Sequence, residues 1–192
     1  MSTSPKSGYH HGDLRASLLT AAMRMLEAGE TFSLRAVARE AGVSPTAPYR
    51  HFADRDALES ALAAQGLRDL KADLIDGREL PTAPMELGEF AVTYVEFALR
   101  RPALFRLMFG NPCDKEDDDR VRAAEEIHEL LRFAMTQVFP NGDHEALASA
   151  GWGLAHGLAC LHLDGKLRTE SSREVAERVR AAFAAILTTH AP

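Results

Sequence analysis

The chain has 192 residues, of which 46% are hydrophobic, enough to bury the core of one large or two small domains. The low aromatic content of 7% and the abundance of Ala and Leu, both strong helix formers, predict an all-helical protein. The formal charge of −6 excludes a uniformly basic protein. The two cysteines, Cys113 and Cys160, have no metal-ligand spacing and predict a reduced, cytoplasmic chain.

The charge is unevenly distributed along the chain. Residues 1–68 contain 8 Lys+Arg and 7 Asp+Glu, whereas residues 69–192 contain 14 and 21. The first part is therefore compatible with a nucleic-acid partner, since phosphate contacts need only local basic groups. The start of the sequence has no apolar signal region, and the uncharged run 147–163 holds two histidines and three glycines. We expect that run to form a buried helix and expect no membrane partner.

A polar arm at residues 1–8 precedes a first predicted helix, which carries an apolar stripe and ends near Gly29. Lys6, His10 and Arg15 are candidate phosphate contacts, with a merely solvated arm as the equal alternative. The neighbouring His10 and His11 would diverge on a helix and have no Cys or carboxylate at ligand spacing. We therefore predict no metal site.

The stretch from Ser33 to Leu58 predicts a helix-turn-helix. Ser33 is a good N-cap for a helix that exposes Arg35, and Gly42 ends that helix because glycine accepts a positive φ. Ser44 is a second N-cap, followed by Pro45 at the first position of a second helix running to Phe52.

This second helix presents the groups that we expect to read DNA. Small residues at its start can lie against base edges, and a phenol, a guanidinium and an imidazole follow that can bond bases or phosphates. A plain corner between two short helices is the alternative. The predicted DNA contacts of the motif are Ser33, Arg35, Ser44, Pro45, Thr46, Ala47, Tyr49, Arg50 and His51. Pro48 departs from a helical pattern and loosens the start of this helix.

Six further helices complete a predicted nine-helix, all-α chain with a helix-turn-helix domain at 1–55 and a second domain at 56–192. Glycine and proline breaks separate them, the first at Gly77 to Pro84. Their predicted ranges are 54–76, 85–101, 102–109, a seventh helix ending at Phe139, 144–163 and 172–188. The acidic run 114–119 resembles a calcium loop, but Asp119 occupies the place that needs glycine, so a solvated helix start is the better interpretation.

The last two helices predict an interface between two copies of the chain. Gly153 and Gly157 leave a groove that lets another helix approach closely, while the ninth helix carries an apolar stripe. The predicted interface residues are Gly153, Gly157, Val175, Val179, Phe183 and Ile186.

Aromatic side chains on the fifth to eighth helices form either a ligand pocket or a solid core. They are Phe90, Tyr94, Phe97, Phe105, Met108, Phe109, Phe133, Trp152 and His156.

Three motifs resemble the TetR family of bacterial transcriptional repressors. They are the Gly42-Val43-Ser44 turn, the Tyr49-x-His51-Phe52 run, and the segment from Asp54 to Leu58. Trp152-Gly-Leu-Ala-His156-Gly157 resembles the Trp-His-Gly type of TetR C-terminal domain, as does the Arg101 to Phe109 segment.

This resemblance implies a homodimer that binds a palindromic duplex operator. It also implies a repressor that an unknown, largely apolar small molecule releases from DNA, and it favours a pocket over solid core. It further implies a phosphate contact for Arg55, where the family usually has lysine. An activator would carry the same residues.

Two other classes of function compete with a regulator. The sequence has no Gly-x-Ser-x-Gly elbow, no phosphate-binding glycine loop and no His-Glu-x-x-His pair, so the only candidate catalytic pair is His156 with Cys160. A cysteine in so apolar a run keeps a high pKa and stays inert. The second alternative is a helical adaptor that binds only protein. The exposed polar groups of the helix-turn-helix motif argue against this alternative. We predict no enzyme and no cofactor.

Overall fold

The computed structural model describes residues 11–77, 79–110, 119–168 and 170–188. Over these residues the chain is helical without strands, which confirms the all-α class. The eight α-helices are α1 (His11–Glu27), α2 (Leu34–Glu40), α3 (Arg55–Ile75), α4 (Pro84–Arg100), α5 (Pro102–Gly110), α6 (Asp119–Val138), α7 (His144–Leu163) and α8 (Ser172–Thr188).

The predicted helix from Pro45 to Phe52 is a turn followed by a three-residue 3₁₀ helix, Pro48–Arg50, so the nine-helix prediction is wrong by one α-helix. Pro48 has no N–H to donate to the Ser44 carbonyl, as an α-helix would require. That carbonyl instead accepts from Ala47 N–H at 3.0 Å, and Arg50 N–H bonds the Ala47 carbonyl at 3.3 Å. Both bonds span three residues, the 3₁₀ pattern.

Contacts between Cα atoms divide the chain into two compact units, Met1–Leu62 and Ala63–Pro192. The division falls inside α3, whereas the sequence suggested residue 55, at the start of this helix. Among the described residues, no helix combines the length and the apolar character needed to cross a membrane.

The first unit is built on small and aliphatic side chains. Leu18, Val37 and Leu58 are fully buried, and the rings of Phe32 and Phe52 close the core at 4% and 2% exposure. Gly42, with φ 69°, ends α2, and the next amide, Val43 N–H, bonds the Ala38 carbonyl at 2.9 Å. This left-handed residue turns the chain out of the helix at the point that the sequence predicts.

The second unit is organised around α4, which packs against α7 and α8, while α6 packs against α7. Burial covers nearly all sides of α4, including Phe90, Tyr94 and Val95. Glu86 fixes the start of this helix because its carboxylate accepts from Thr82 N–H at 2.7 Å and Ala83 N–H at 3.2 Å. These two bonds hold the pKa of Glu86 below its usual value.

Candidate nucleic-acid interface and ligand cavities

The first half of the candidate DNA surface is α2. The Ser33 hydroxyl accepts from Ala36 N–H at 3.3 Å, so this predicted contact residue has a structural role as the N-cap. Leu34, Val37 and Ala38 face the core. That packing leaves Arg35 exposed, together with Arg39, a basic group that we did not include among the predicted contacts.

The second half is the turn with its 3₁₀ helix. Ser44, Pro45, Thr46, Tyr49 and Arg50 are exposed, and Tyr49 leaves 51% of its surface to solvent. Ala47 is half-buried. Pro48 and Phe52 are buried on either side of the polar groups. Pro48 and Phe52 anchor the segment in the core, and the side chains of Tyr49 and Arg50 between them remain exposed to solvent.

His51 is less available than the sequence suggests. Its ring is half-buried, and its Nε2 atom is buried with no hydrogen-bond partner among the described residues. A buried polar atom without a partner costs free energy, and this buried nitrogen is not exposed for a contact with DNA. Tyr49 and Arg50 are therefore the stronger candidates.

Two further predicted contacts are exposed arginines that lie on aromatic rings. The Arg15 guanidinium lies 5.4 Å from the centroid of Phe52, and that of Arg55 lies 5.5 Å from the centroid of Phe32. Arg55 also bonds Glu59 at 2.6 Å. These contacts hold both cations at the surface of the first unit. Lys6 and His10 lie outside the described residues.

In the second unit a chain of polar side chains crosses the apolar interior. Trp152 Nε1–H donates to the Tyr94 hydroxyl at 3.2 Å, and that oxygen lies 2.9 Å from His156 Nδ1. His156 Nε2 lies 3.5 Å from Cys160 Sγ. Burial raises the pKa of Tyr94 and lowers that of His156, so both groups are neutral near pH 7.

The His156 and Cys160 contact does not form an activated thiol. Burial is the main cause that raises the pKa of Cys160, with the Asp164 carboxylate adding to it. A neutral thiol beside a neutral imidazole is a poor nucleophile.

Two cavities adjoin this chain of side chains. The inner one is about 30 Å³, room for one or two water molecules, and its lining is almost entirely apolar. An open cleft of about 350 Å³ lies beside it. Trp152 lines both spaces. In this conformation the inner cavity is therefore too small for an effector, whereas the cleft has the size of a small-molecule site.

The predicted pocket residues separate into three groups. Phe90, Tyr94 and Trp152 line the inner cavity, and Phe109 and His156 join Trp152 at the cleft. Phe97, Phe105 and Met108 are buried and line neither space, so in this conformation they pack in the core. Phe133 also lines neither space, and 51% of its surface is exposed.

The sequence did not single out several lining residues. Aliphatic side chains of the inner cavity look like ordinary core residues in a helical pattern, and no signal would have separated them. Those missed are Leu74, Leu87, Ala91, Ile127, Leu131, Met135, Gly151 and Ala155 at the inner cavity, and His128 and Ser149 at the cleft.

The apolar stripe of α8 is buried within the protomer. Val175, Val179 and Phe183 are buried at 4%, 0% and 7% exposure where α8 packs against α4, and Phe183 lines the inner cavity. These three residues are corrected from interface to core. Ile186 remains 52% exposed, Gly153 is exposed and Gly157 is half-buried.

The short helix, the glycine turn and the exposed polar 3₁₀ segment define a helix-turn-helix protein. Comparison with protein-family models agrees. Residues 18–62 match the bacterial regulatory proteins of the tetR family, and residues 87–187 match the tetracyclin repressor-like C-terminal domain. The chain therefore belongs to the tetR family of bacterial regulatory proteins.

Several known proteins resemble the chain in sequence or in fold. A Haemophilus influenzae protein described as an uncharacterized HTH-type transcriptional regulator is 34% identical over 121 residues, which is 61% of this chain and 59% of that protein. A Rhodococcus protein of unknown function is also 34% identical, with a TM-score of 0.76 over 93% of this chain and 97% of that one. A transcriptional regulator from Aquifex aeolicus, 15% identical, shares the fold with a TM-score of 0.64 over 90% and 98%.

Proposed function

We propose that the protein is a DNA-binding transcriptional regulator and not an enzyme, that it reads duplex DNA with the exposed groups of α2 and the 3₁₀ segment, and that it does so in the cytoplasm. The observation that carries the proposal is the exposure of Tyr49 and Arg50 between the buried anchors Pro48 and Phe52. A phenol and a guanidinium held in this way can reach base edges or phosphate oxygens.

The direct test is a selection of binding sites from random duplexes, followed by a gel-shift titration over a range of salt concentrations. We expect a specific duplex to emerge and its affinity to fall as salt rises, because phosphate contacts release counterions. Enrichment of no duplex, or equal affinity for every duplex tested, would contradict the assignment of these residues as readers of sequence.

We further propose that the protein acts as a homodimer on a palindromic operator. A stripe of small residues on one side of α7 supports this, comprising the exposed Ala146 and Ala150 and the half-buried Gly157. A Cβ added at Gly153 or Gly157 would meet no atom of the protomer within 4 Å, so the absence of side chains there serves no packing within one copy. A two-fold axis would place the two reading segments about 34 to 36 Å apart.

Leucine at Gly157 is expected to convert the dimer to monomer in analytical ultracentrifugation at micromolar concentration. A Cβ at this position meets no atom of the protomer within 4 Å, so we expect the added bulk to act between the two copies. Ala72→Leu on the exposed face of α3 is the control, because it adds apolar bulk at an exposed position on another helix. A monomeric wild-type protein, or a Gly157→Leu variant as dimeric as the wild type, would refute the interface.

The ligand response is the third element of the proposal. We propose that a small, largely apolar molecule binds the second unit and releases DNA, and that the α3 helix, continuous from Arg55 to Ile75, carries the change. Such a ligand must prefer the form that does not bind DNA, and operator DNA must weaken ligand binding by the same factor. We also assign the second unit to the Trp-His-Gly type, which the shared bonds of Trp152 and His156 to Tyr94 support.

A further inference from the structure

The open cleft is bordered by α5, α6 and α7. Its lining consists of Phe109, His128, Ser149, Trp152, Gly153 and His156. The volume of about 350 Å³ falls within the range of small-molecule sites. Among the residues that the structure describes, the lining of the cleft includes no lysine, arginine, aspartate or glutamate. The described part of the lining therefore offers no charged group to hold an ionic ligand.

Aromatic rings form the walls of the cleft. The ring centroid of Phe109 lies 4.7 Å from that of His156 and 6.3 Å from that of Trp152, and both contacts are edge-on. The ring centroid of His128 lies 6.2 Å from that of Trp152. A further planar ring could pack edge-on or offset against such a wall, the arrangements that aromatic pairs prefer.

The hydrogen bonds behind this wall favour one tautomer of His156. The indole of Trp152 can only donate, so the Tyr94 oxygen accepts from it. Of the two partners of the Tyr94 hydroxyl among the described residues, only His156 Nδ1 can accept, so the hydroxyl proton points to Nδ1 and His156 carries its own proton on Nε2. The neighbour of that Nε2–H is the Cys160 sulfur at 3.5 Å, a weak acceptor.

We propose that the cleft binds an uncharged, planar aromatic molecule bearing an oxygen acceptor, and that His156 Nε2–H donates to this oxygen in place of the Cys160 thiol. The inference rests on the proposed ligand response and specifies its ligand class. The nearby Glu145 carboxylate lies 2.7 Å from His128 Nε2, so it is engaged and does not recruit a cation. The lowered pKa of His156 keeps the donor neutral, which gives no advantage to an anion.

The only tryptophan, Trp152, offers a site-specific probe. The protein labelled with 5-fluorotryptophan should give one ¹⁹F resonance, which is titrated with acetophenone, with ethylbenzene and with benzoate. Acetophenone has the aromatic ring and the acceptor, ethylbenzene lacks the oxygen, and benzoate adds a charge. We expect a saturable shift with acetophenone, and roughly threefold to tenfold weaker binding of ethylbenzene, the worth of one net hydrogen bond. Equal binding of ethylbenzene, or tighter binding of benzoate, would overturn the proposal.

Three variants separate the donor from the general shape of the cleft. His156→Phe keeps a ring in the wall and should weaken acetophenone by the same factor while leaving ethylbenzene unchanged. Cys160→Ser supplies a stronger competing acceptor for Nε2–H and should weaken acetophenone, whereas Cys160→Ala removes the competitor and should preserve or tighten it. Equal affinities for the two Cys160 variants would overturn the role of Nε2–H, even if His156→Phe fails to fold.

The titration needs no DNA, so it distinguishes a cleft that does not bind acetophenone from a protein that does not act as a regulator. Absence of a saturable shift in a protein that still binds its selected duplex would overturn the cleft site alone. Saturation of the cleft with no change in duplex affinity would support the site and overturn its regulatory role. Reciprocal weakening of acetophenone and duplex would support both.

Discussion

Replacement of Tyr49 and Arg50 together by alanine is expected to weaken binding to the selected duplex by about 2 to 4 kcal/mol, roughly 30- to 1,000-fold. Each exposed side chain can supply a contact worth about 1 to 3 kcal/mol if it reaches a base edge. If Arg50 contacts a phosphate instead, the loss should be similar for all sequences and the salt slope should fall by about one. A gel-shift titration at two or more salt concentrations measures both quantities.

The control for this double variant is Arg132→Ala, which removes one exposed cation from α6 in the second unit. It changes the net charge as the double variant does but leaves the helix-turn-helix intact. The thermal midpoints of both variants should match the wild type, because all three side chains are exposed. Unaltered duplex binding by a folded Tyr49→Ala, Arg50→Ala protein would remove these residues from the interface.

Local signals in the sequence account for much of the fold. The observed bounds of α7 and α8 coincide with the predicted ranges. Asp143 caps α7 by accepting from Ala146 N–H at 3.1 Å, and the turn before it contains Pro140 and Gly142. Such caps and breaks act within a few residues, so they can be recognised without knowledge of the tertiary structure. Pro48 is also a local signal, and a strict use of it would have replaced the predicted second helix by a 3₁₀ turn.

The candidate ligand site was harder to predict because its members depend on tertiary packing. α4 is apolar on nearly every side, so its periodicity does not say which ring faces a space and which faces another helix. The sequence also did not show what covers the apolar stripe of α8. Val179 can be buried against a second copy or against α4, and only the packed structure shows that α4 covers it.

Phe97 and Phe133 were both predicted to line a pocket, and their variants are expected to differ widely in stability. Phe97 is 1% exposed, and the guanidinium groups of Arg100 and Arg101 lie 5.7 and 5.8 Å from its ring centroid. Phe97→Ala removes a fully buried ring and leaves a void that the surrounding helices fill only in part, so it should lower the free energy of unfolding by about 3 to 5 kcal/mol. Phe133→Ala removes a ring that is already 51% exposed and should change it by no more than about 1 kcal/mol.

Urea unfolding followed by the fluorescence of Trp152 measures this difference, because the only tryptophan lies in the same unit as both phenylalanines. The midpoint should fall sharply for Phe97→Ala and stay near the wild type for Phe133→Ala, with similar slopes if the unfolded states are alike. Neither ring lines the cleft, so a folded Phe133→Ala protein should bind acetophenone as the wild type does. A small loss of stability for Phe97→Ala would mean that this ring borders a space that water can fill. That result would favour the predicted place of Phe97 in the ligand site over a role in core packing alone.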